Sequence, residues 1–179
     1  MKTVLARLAF IAALASGWVH AQPRDVVVNG QALTSDVIQG LEKAYRAPIP
    51  PGRYWYDDAS GAWGLEGGAI AGQMMPGLKL GGRLRPDASR GDSGVFVNGR
   101  QLTSYEVEGL QRACRTSVQP GRYWVNAQGV GGFDGKPPTF NLAACAPPSS
   151  GGSSTRTYCD DAGNCSSHGL WGWISTSPR

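Results

Sequence analysis

The pattern of apolar and polar positions predicts three elements in succession near the start of the chain. A β-branched run at residues 26–28 ends in Asn29-Gly30, which favours a two-residue hairpin turn because both turn positions need positive φ. Apolar side chains then recur at helical spacing, which predicts an amphipathic helix over residues 35–46. An aromatic run follows, and it predicts a second hairpin with strands at residues 53–57 and 62–66.

The same pattern returns 69 residues later. Residues 26–55 align without a gap with residues 95–124, and 16 of the 30 positions are identical. The second helix is expected over residues 104–115, with Thr103 as its N-cap and Glu106 completing a capping box. A repeat of this kind predicts two supersecondary units that stack to bury a face neither could hide alone.

These elements predict an α+β fold of two tandem hairpin-helix-hairpin repeats with a short disulfide-closed C-terminal segment. The Gly-rich and Pro-rich composition between the repeats predicts a flexible connection. The predicted organisation is a signal peptide (1–21), repeat unit 1 (22–75), a linker (76–94), repeat unit 2 (95–145), a Pro/Gly/Ser linker (146–157) and a Cys-closed aromatic tail (158–179).

The first 21 residues have the pattern of a secretory signal peptide. Two basic residues precede an apolar run at residues 8–19, and the small residues that follow predict cleavage before Gln22. The run is too short to cross a bilayer core of about 30 Å, so we expect an exported chain, periplasmic or extracellular, without a transmembrane segment. Cleavage lowers the formal net charge of +4 by two, which is too mild a balance to predict a nucleic-acid partner.

The cysteines predict disulfide bonds rather than a metal site. The four cysteines are an even number, as expected for disulfides in an exported chain, and they allow three pairings. Proximity along the chain favours Cys114 with Cys145 and Cys159 with Cys165. A zinc site needs thiolates at short paired spacings together with histidine, and that pattern is missing. We therefore predict neither a metal nor a cofactor.

Aromatic side chains crowd the second hairpin of each unit. Side chains alternate along a strand, so Tyr54 and Tyr56 are expected on one face and Trp55 on the other. Flat rings with a polar edge suit sugar or peptide ligands, which makes Trp55, Trp63, Trp124 and Tyr56 the candidate binding residues. The alternative is that Trp55 and Trp124 pack against the helix or against the sister repeat.

No catalytic residue is assigned. Glu66 and Asp134 occupy matched positions, as two carboxylates of a glycosidase would, but symmetry-related carboxylates in hairpins are usually turn or surface groups. His168 is the one histidine after the predicted signal peptide, and a lone histidine is more often structural than catalytic. Ser93, in a Gly-Asp-Ser-Gly stretch, resembles a protease nucleophile but has no upstream histidine to act as its base once the leader is removed.

A resemblance rests on the stretch at residues 52–68, Gly-Arg-Tyr-Trp-Tyr-Asp-Asp-Ala-Ser-Gly-Ala-Trp-Gly-Leu-Glu-Gly-Gly. With it, residues 26–142 resemble a group of uncharacterised secreted bacterial proteins that carry paired VNGxxL and GxYWxDxxSGxWGxxGG motifs. The resemblance implies bacterial origin and export, and it brings no activity and no functional residues. A weaker resemblance, to the aromatic hairpins of bacterial cell-wall-binding repeats, is an analogy of fold alone.

The function expected from the sequence is that of an exported, non-catalytic binding or envelope-associated module. Its expected partner is cell-envelope glycan, recognised through the aromatic hairpins, or another exported protein, and its oligomeric state is left open. The alternatives are a small envelope hydrolase that uses Glu66 or Asp134, and a protein-inhibitor or interaction module.

Overall fold

A computed structural model describes residues 25–145 and two further strands, Arg156–Cys159 and Cys165–His168. Two small five-stranded mixed sheets and two α-helices make up most of the described chain, so the fold is rich in β structure. The expected α+β fold of separate hairpin-helix-hairpin repeats is wrong. Within each unit the two hairpins pair with each other in parallel, and this pairing merges them into a single sheet.

The first sheet is formed by repeat unit 1. Its strands run in the spatial order β2-β1-β3-β4-β5, and only β1 and β3 are parallel to each other. The crossover between those two strands contains helix α1. The elements are β1 (Val26–Val28), β2 (Gln31–Ala32), α1 (Ser35–Tyr45), β3 (Gly52–Tyr56), β4 (Ala62–Leu65) and β5 (Gly72–Gln73).

The second sheet repeats this arrangement in the order β10-β9-β8-β6-β7, with β6 and β8 parallel. A 3-10 turn at Leu142–Cys145 follows it, and two antiparallel strands lie further along the chain. The elements are β6 (Val95–Val97), β7 (Arg100–Gln101), α2 (Ser104–Cys114), β8 (Gly121–Val125), β9 (Val130–Phe133), β10 (Phe140–Asn141), β11 (Arg156–Cys159) and β12 (Cys165–His168). No helix in the described part of the chain has the length and apolar character needed to cross a membrane.

The predicted helix starts are confirmed. Thr34 and Thr103 are the N-caps, and the Thr103 hydroxyl accepts a hydrogen bond from the Glu106 N–H while the Glu106 carboxylate accepts from the Thr103 N–H. Both helices end at an arginine in the left-handed region, Arg46 with φ 52° and Arg115 with φ 50°. Each unit therefore places its helix through interactions local to the sequence.

The Asn-Gly turns do more than reverse the chain. Asn29 has φ 47° and Gly30 has φ 80°, as the two-residue hairpin requires. The Asn29 side-chain amide donates to the Tyr56 carbonyl at 2.8 Å, and its oxygen accepts from the Tyr56 N–H at 3.0 Å. Asn98 makes the same pair of bonds with Val125 in the second unit. Each first hairpin is thus clamped to the end of the central strand.

An aromatic ring and a glycine exchange places between the two units. Trp63 on β4 lies opposite Gly72 on β5, whereas in the second unit Gly131 on β9 lies opposite Phe140 on β10. Each ring makes an edge-on contact with the tyrosine of the central strand, with centroids 6.2 Å apart for Trp63 and 6.1 Å apart for Phe140. The same volume is filled from opposite strands, so Trp63 has a packing role.

The two faces of the first sheet enter different apolar clusters. Tyr56 packs with α1 and Leu80, while Trp55 points the other way and packs with the second unit. The cluster on the Trp55 side is shared by both units. Its buried members are Trp55, Ala62, Ile70, Ala88, Val95, Val97, Leu102, Leu110, Val125 and Leu142.

The connection between the units, residues 76–94, is packed rather than loose. Leu80, Ala88 and Ser89 are buried, and the Ser89 hydroxyl donates to the Gln101 carbonyl at 2.6 Å. Its glycines and prolines allow close backbone approach, which composition alone does not distinguish from flexibility. The predicted unit boundaries themselves stay a prediction.

A disulfide joins Cys114, at the end of α2, to Cys145 in the 3-10 turn. Cys159 and Cys165 lie opposite each other in the register of β11 and β12, and their side chains, like that of His168, are outside the description. The predicted signal peptide and most of the Pro/Gly/Ser linker and the aromatic tail also lie outside the described residues.

Gly131→Ala is expected to destabilise the protein. A Cβ at this position would lie 2.5 Å from the Phe140 ring and 2.5 Å from the Trp124 carbonyl oxygen, so strand and ring must both move. We expect the free energy of unfolding in urea to fall by about 1–3 kcal/mol. The control is Gly40→Ala on exposed α1, where a Cβ meets nothing within 4 Å and stability should rise by about 0.5–1 kcal/mol. If Gly131→Ala leaves the free energy of unfolding unchanged, the packing described for this strand pair is contradicted.

Candidate functional site

Trp55 lies between the two units and has no free face. Its side chain is 1% exposed, and its indole Nε1 donates to the Gly68 carbonyl at 3.0 Å. One side of the ring packs on Gly64, where an added Cβ would come within 2.8 Å of it. The other side lies under the guanidinium of Arg100, whose Cζ is 4.0 Å from the ring centroid. The structure thus places Trp55 in an internal interface.

Tyr56 and Trp63 also belong to the packed interior. Tyr56 is 2% exposed, and its hydroxyl donates to the Met75 carbonyl at 2.6 Å and accepts from the Leu78 N–H at 3.3 Å. Burial raises the pKa of Tyr56 to about 12. Trp63 is half-buried over Gly72. Of the four predicted binding residues, Trp124 is therefore the one that the structure leaves on an uncovered sheet face.

A buried ion pair of the second unit makes contacts to the first unit. Arg100 and Glu106 meet through two hydrogen bonds of 2.9 Å and 3.1 Å, and their side chains are 5% and 2% exposed. The Glu106 carboxylate also accepts the Ile70 N–H of the first unit at 3.0 Å and the Thr103 N–H of its own helix start at 2.8 Å. We call Trp55, Ile70, Arg100 and Glu106 the joint.

A second polar contact supports the joint. The Asn98 side-chain amide donates to the Asp57 carboxylate at 2.6 Å, and the Ser60 hydroxyl donates to the same carboxylate oxygen. Asp57 and Ser60 are both buried. The turn asparagine of the second unit thus binds the first unit as well as its own central strand.

The two charged residues of the joint both come from the second unit. The positions equivalent to Arg100 and Glu106 in the first unit are Gln31 and Val37, and both of these side chains are exposed. The sequence predicts Glu106 as a capping residue, but the part that Glu106 and Arg100 play in joining the units is seen only in the structure. The signal that could have found them is the replacement of a neutral pair by opposite charges at matched repeat positions.

The second sheet presents an uncovered counterpart of the face that carries Trp55. Trp124 is half-buried, and its Nε1 donates to the Lys136 carbonyl at 2.9 Å, as Trp55 does to Gly68. The Arg122 guanidinium lies 5.1 Å from the ring of Phe96 on the adjacent strand. The position equivalent to Ile70 is Pro138, which is exposed and has no N–H to offer a carboxylate. We call Phe96, Arg122, Trp124, Lys136 and Pro138 the open face.

A polar cleft of about 400 Å³ lies on the first unit and its connection. We call it the arginine cleft, and it is lined by Arg53, Glu66, Gly67, Arg85, Asp87 and Arg90.

Two ion pairs occupy the arginine cleft. Arg53 pairs with Glu66 at 2.5 Å, and Arg85 pairs with Asp87. The hydrogen bond from Arg85 holds the pKa of Asp87 below its ordinary value. In the second unit Asp134 lies 3.9 Å from the arginine at the matched position. Each of the two matched carboxylates thus has an arginine partner in its own unit.

No metal centre is formed in the part of the chain that the structure describes. Within those residues no group of three or more His, Cys, Asp or Glu side chains is placed to hold a metal ion.

The chain is similar to one segment of two much longer plant proteins. Extra-large guanine nucleotide-binding protein 1 of Arabidopsis thaliana is 40% identical over 106 residues, and extra-large guanine nucleotide-binding protein 2 of the same plant is 31% identical over 108 residues. These matches cover 58% and 59% of this chain, and 12% of the length of each relative. Neither a protein-family model nor a solved structure matches the chain.

These relatives correct several expectations. The resemblance to secreted bacterial repeat proteins is wrong, because the chain is similar to segments of two plant guanine nucleotide-binding proteins. The expected bacterial origin, export to a periplasmic or extracellular location, and recognition of cell-envelope glycan are wrong for the same reason, as is the envelope hydrolase. Alternating apolar runs and aromatic Gly-Trp turns report strand geometry, and they do not identify a source or a compartment.

Glu106→Gln is expected to weaken the joint. The substitution leaves the buried Arg100 guanidinium without a counter-charge, and breaking a buried pair in this way costs about 3–5 kcal/mol in the free energy of unfolding. Urea unfolding followed by tryptophan fluorescence measures the loss. The matched control is Gln31→Ala at the position equivalent to Arg100, which should be neutral within about 0.5 kcal/mol. A Glu106→Gln loss below about 1 kcal/mol would contradict the stabilising role assigned to the buried pair.

Tyr56 is expected to make the protein lose stability in alkali. Its pKa is about 12 in the folded protein and 10.0 ordinarily, so between these values the unfolded chain binds fewer protons than the folded one. The free energy of unfolding therefore falls as the pH rises through this window and is unaffected by Tyr56 below it. Burial also raises the pKa of Tyr54, so ultraviolet titration of tyrosinate should show more than one late-titrating group, and Tyr56→Phe should remove the one that titrates last. An unchanged titration curve in that variant would contradict the assignment.

Proposed function

We propose that this chain is a protein-interaction module and that a partner protein docks on the open face. The observation that carries the proposal is the equivalence of the two tryptophan faces. In the first sheet the face around Trp55 is already a protein interface, because the second unit docks on it. The face around Trp124 has the same backbone geometry and remains uncovered among the described residues. The two-unit organisation, residues 22–75 and 95–145, is part of this proposal.

The chemistry of the open face suits a protein partner. Protein interfaces are enriched in tryptophan and arginine, and their strongest contacts are aromatic or arginine anchors surrounded by water-excluding neighbours. Trp124 is oriented by its bond to the Lys136 carbonyl, so its ring loses little conformational entropy on binding. Arg122 is paired with Asp134, so the net positive charge at the rim comes from Lys136, and it favours a partner surface that carries carboxylates.

The relatives support an interaction role without supplying an activity. They are named as guanine nucleotide-binding proteins, but the shared segment is 12% of their length. This sequence contains no Gly-x-x-x-x-Gly-Lys-Ser/Thr loop of the kind that cradles phosphates, since Gly135-Lys136 is followed by Pro137. We therefore do not carry nucleotide binding over to this chain, and we assign it the role of a module that accompanies such proteins.

Trp124→Ala is expected to weaken the binding of the partner protein to the open face. Affinity purification of the tagged chain from cells that express it, followed by quantitative mass spectrometry, should identify proteins that Trp124→Ala and Arg122→Glu both lose. Binding of the identified partner to the purified variants should weaken about tenfold or more, as for other interface anchors.

The matched control for this test is Leu65→Ala, which shortens a side chain that is 56% exposed in the first unit. This variant should keep the partner at unchanged affinity. If Trp124→Ala, Arg122→Glu and Leu65→Ala all retain the same partners, the open face is not the docking surface and the proposal is overturned.

A further inference from the structure

We propose that the arginine cleft binds a carboxylate group of a peptide and that Arg90 is the residue that holds it. The cleft lies on the first unit and is formed by residues other than those of the open face. A test of one site therefore does not decide the other.

One of the three arginines that line the cleft has no ion-pair partner among the described residues. Arg53 and Arg85 each have a carboxylate partner, and Arg90 makes no ion pair with any residue that the structure describes. The cleft therefore carries an excess of one positive charge. One carboxylate matches that excess, whereas a doubly charged phosphate would exceed it by one negative charge and would be repelled more strongly by Glu66 and Asp87. Guanidinium and carboxylate form two parallel hydrogen bonds, the strong arrangement for such pairs.

The loop around Arg90 is ordered before any ligand arrives. The Arg90 backbone has φ 50°, an uncommon value for a residue with a side chain, and its N–H donates to the Asp87 carbonyl at 2.9 Å. The buried Ala88 and Ser89 anchor the loop, and the Ala88 carbonyl accepts the Gly67 N–H at 2.6 Å. The position of Arg90 thus does not depend on a ligand.

The Arg90 side chain packs on the backbone of Gly67. A Cβ on Gly67 would lie 3.0 Å from Arg90 Nε and 3.3 Å from its Cζ, so the guanidinium rests directly on the glycine backbone. Gly67 has φ 83°, which side chains rarely adopt. A guanidinium already packed in one position loses less rotamer entropy on binding a ligand than a mobile one does, and this favours recognition of a small group.

The second unit provides an internal comparison. It has the equivalent ion pair, Arg122 with Asp134, and the equivalent glycine, Gly135. A Cβ on Gly135 would meet nothing within 4 Å, so no side chain of the described residues packs on this glycine. The second unit therefore lacks the additional arginine that the connection supplies to the first unit.

The test uses the full chain and the side-chain Nε–Hε resonances of its arginines. Two blocked tripeptides are titrated at constant ionic strength: acetyl-Ala-Glu-Ala-amide, which has only a side-chain carboxylate, and acetyl-Ala-Ala-Ala, which has only a C-terminal carboxylate. The neutral acetyl-Ala-Gln-Ala-amide and inorganic phosphate are the comparison ligands. We expect a saturable shift of the Arg90 resonance with at least one carboxylate peptide, at a Kd of roughly millimolar order, and the stronger peptide identifies the source of the carboxylate.

Arg90→Gln should weaken this binding about tenfold or more, the magnitude of a charged hydrogen bond removed, while the matched Arg122→Gln should leave it unchanged. Arg90→Lys separates charge from geometry, and it should recover only part of the affinity because an ammonium cannot make the paired bonds. A shift that the neutral peptide reproduces, tighter binding of phosphate than of either carboxylate, or an equal loss in Arg122→Gln would overturn the proposal. None of these results depends on whether a protein docks on the open face.

Discussion

The buried ion pair between Arg100 and Glu106 is the interaction on which the arrangement of the two units depends. Two charges withdrawn from water are tolerated only where hydrogen bonds satisfy them, and the Glu106 carboxylate receives bonds from Arg100, from the Ile70 N–H and from the start of its own helix. One side chain thus caps α2, neutralises the arginine that lies on Trp55 and holds the chain of the first unit. Arg100 and Glu106 both belong to the second unit. Sliding that unit against the first would take the Ile70 N–H away from the Glu106 carboxylate and the Trp55 ring away from the Arg100 guanidinium, so these contacts favour a single arrangement.

The differences between the two copies decide what each unit does. The shared motif builds the same sheet twice, but the positions that carry Arg100 and Glu106 in the second unit are neutral in the first. Pro138, in place of Ile70, removes the N–H that a further carboxylate would need. The outer face of the second unit therefore differs from the face by which the first unit contacts it. Among the described residues that difference leaves Trp124 uncovered, and we propose its face as the place where a protein partner docks.

Local features of the fold could be predicted and long-range ones could not. The Asn-Gly hairpins and the helix starts at Thr34 and Thr103 rest on contacts within a few residues, and they are present as expected. The alternation that separates Trp55 from Tyr56 is also present, but alternation does not say what covers each face. The connection at residues 76–94 shows the same limit, because its glycines allow tight packing as readily as flexibility.

The sequence by itself determined the repeat, the strand and helix positions and the caps, because each depends on backbone preferences and neighbours close along the chain. Only the tertiary structure decided that the two hairpins of each unit merge into one sheet, that Trp55 is buried while Trp124 is half-buried, and that Arg90 has no ion-pair partner among the described residues. These outcomes depend on residues that are distant along the chain and meet only in the folded protein. Burial and charge pairing contribute free energy at those contacts, and a pattern read along the sequence contains no record of which contacts form.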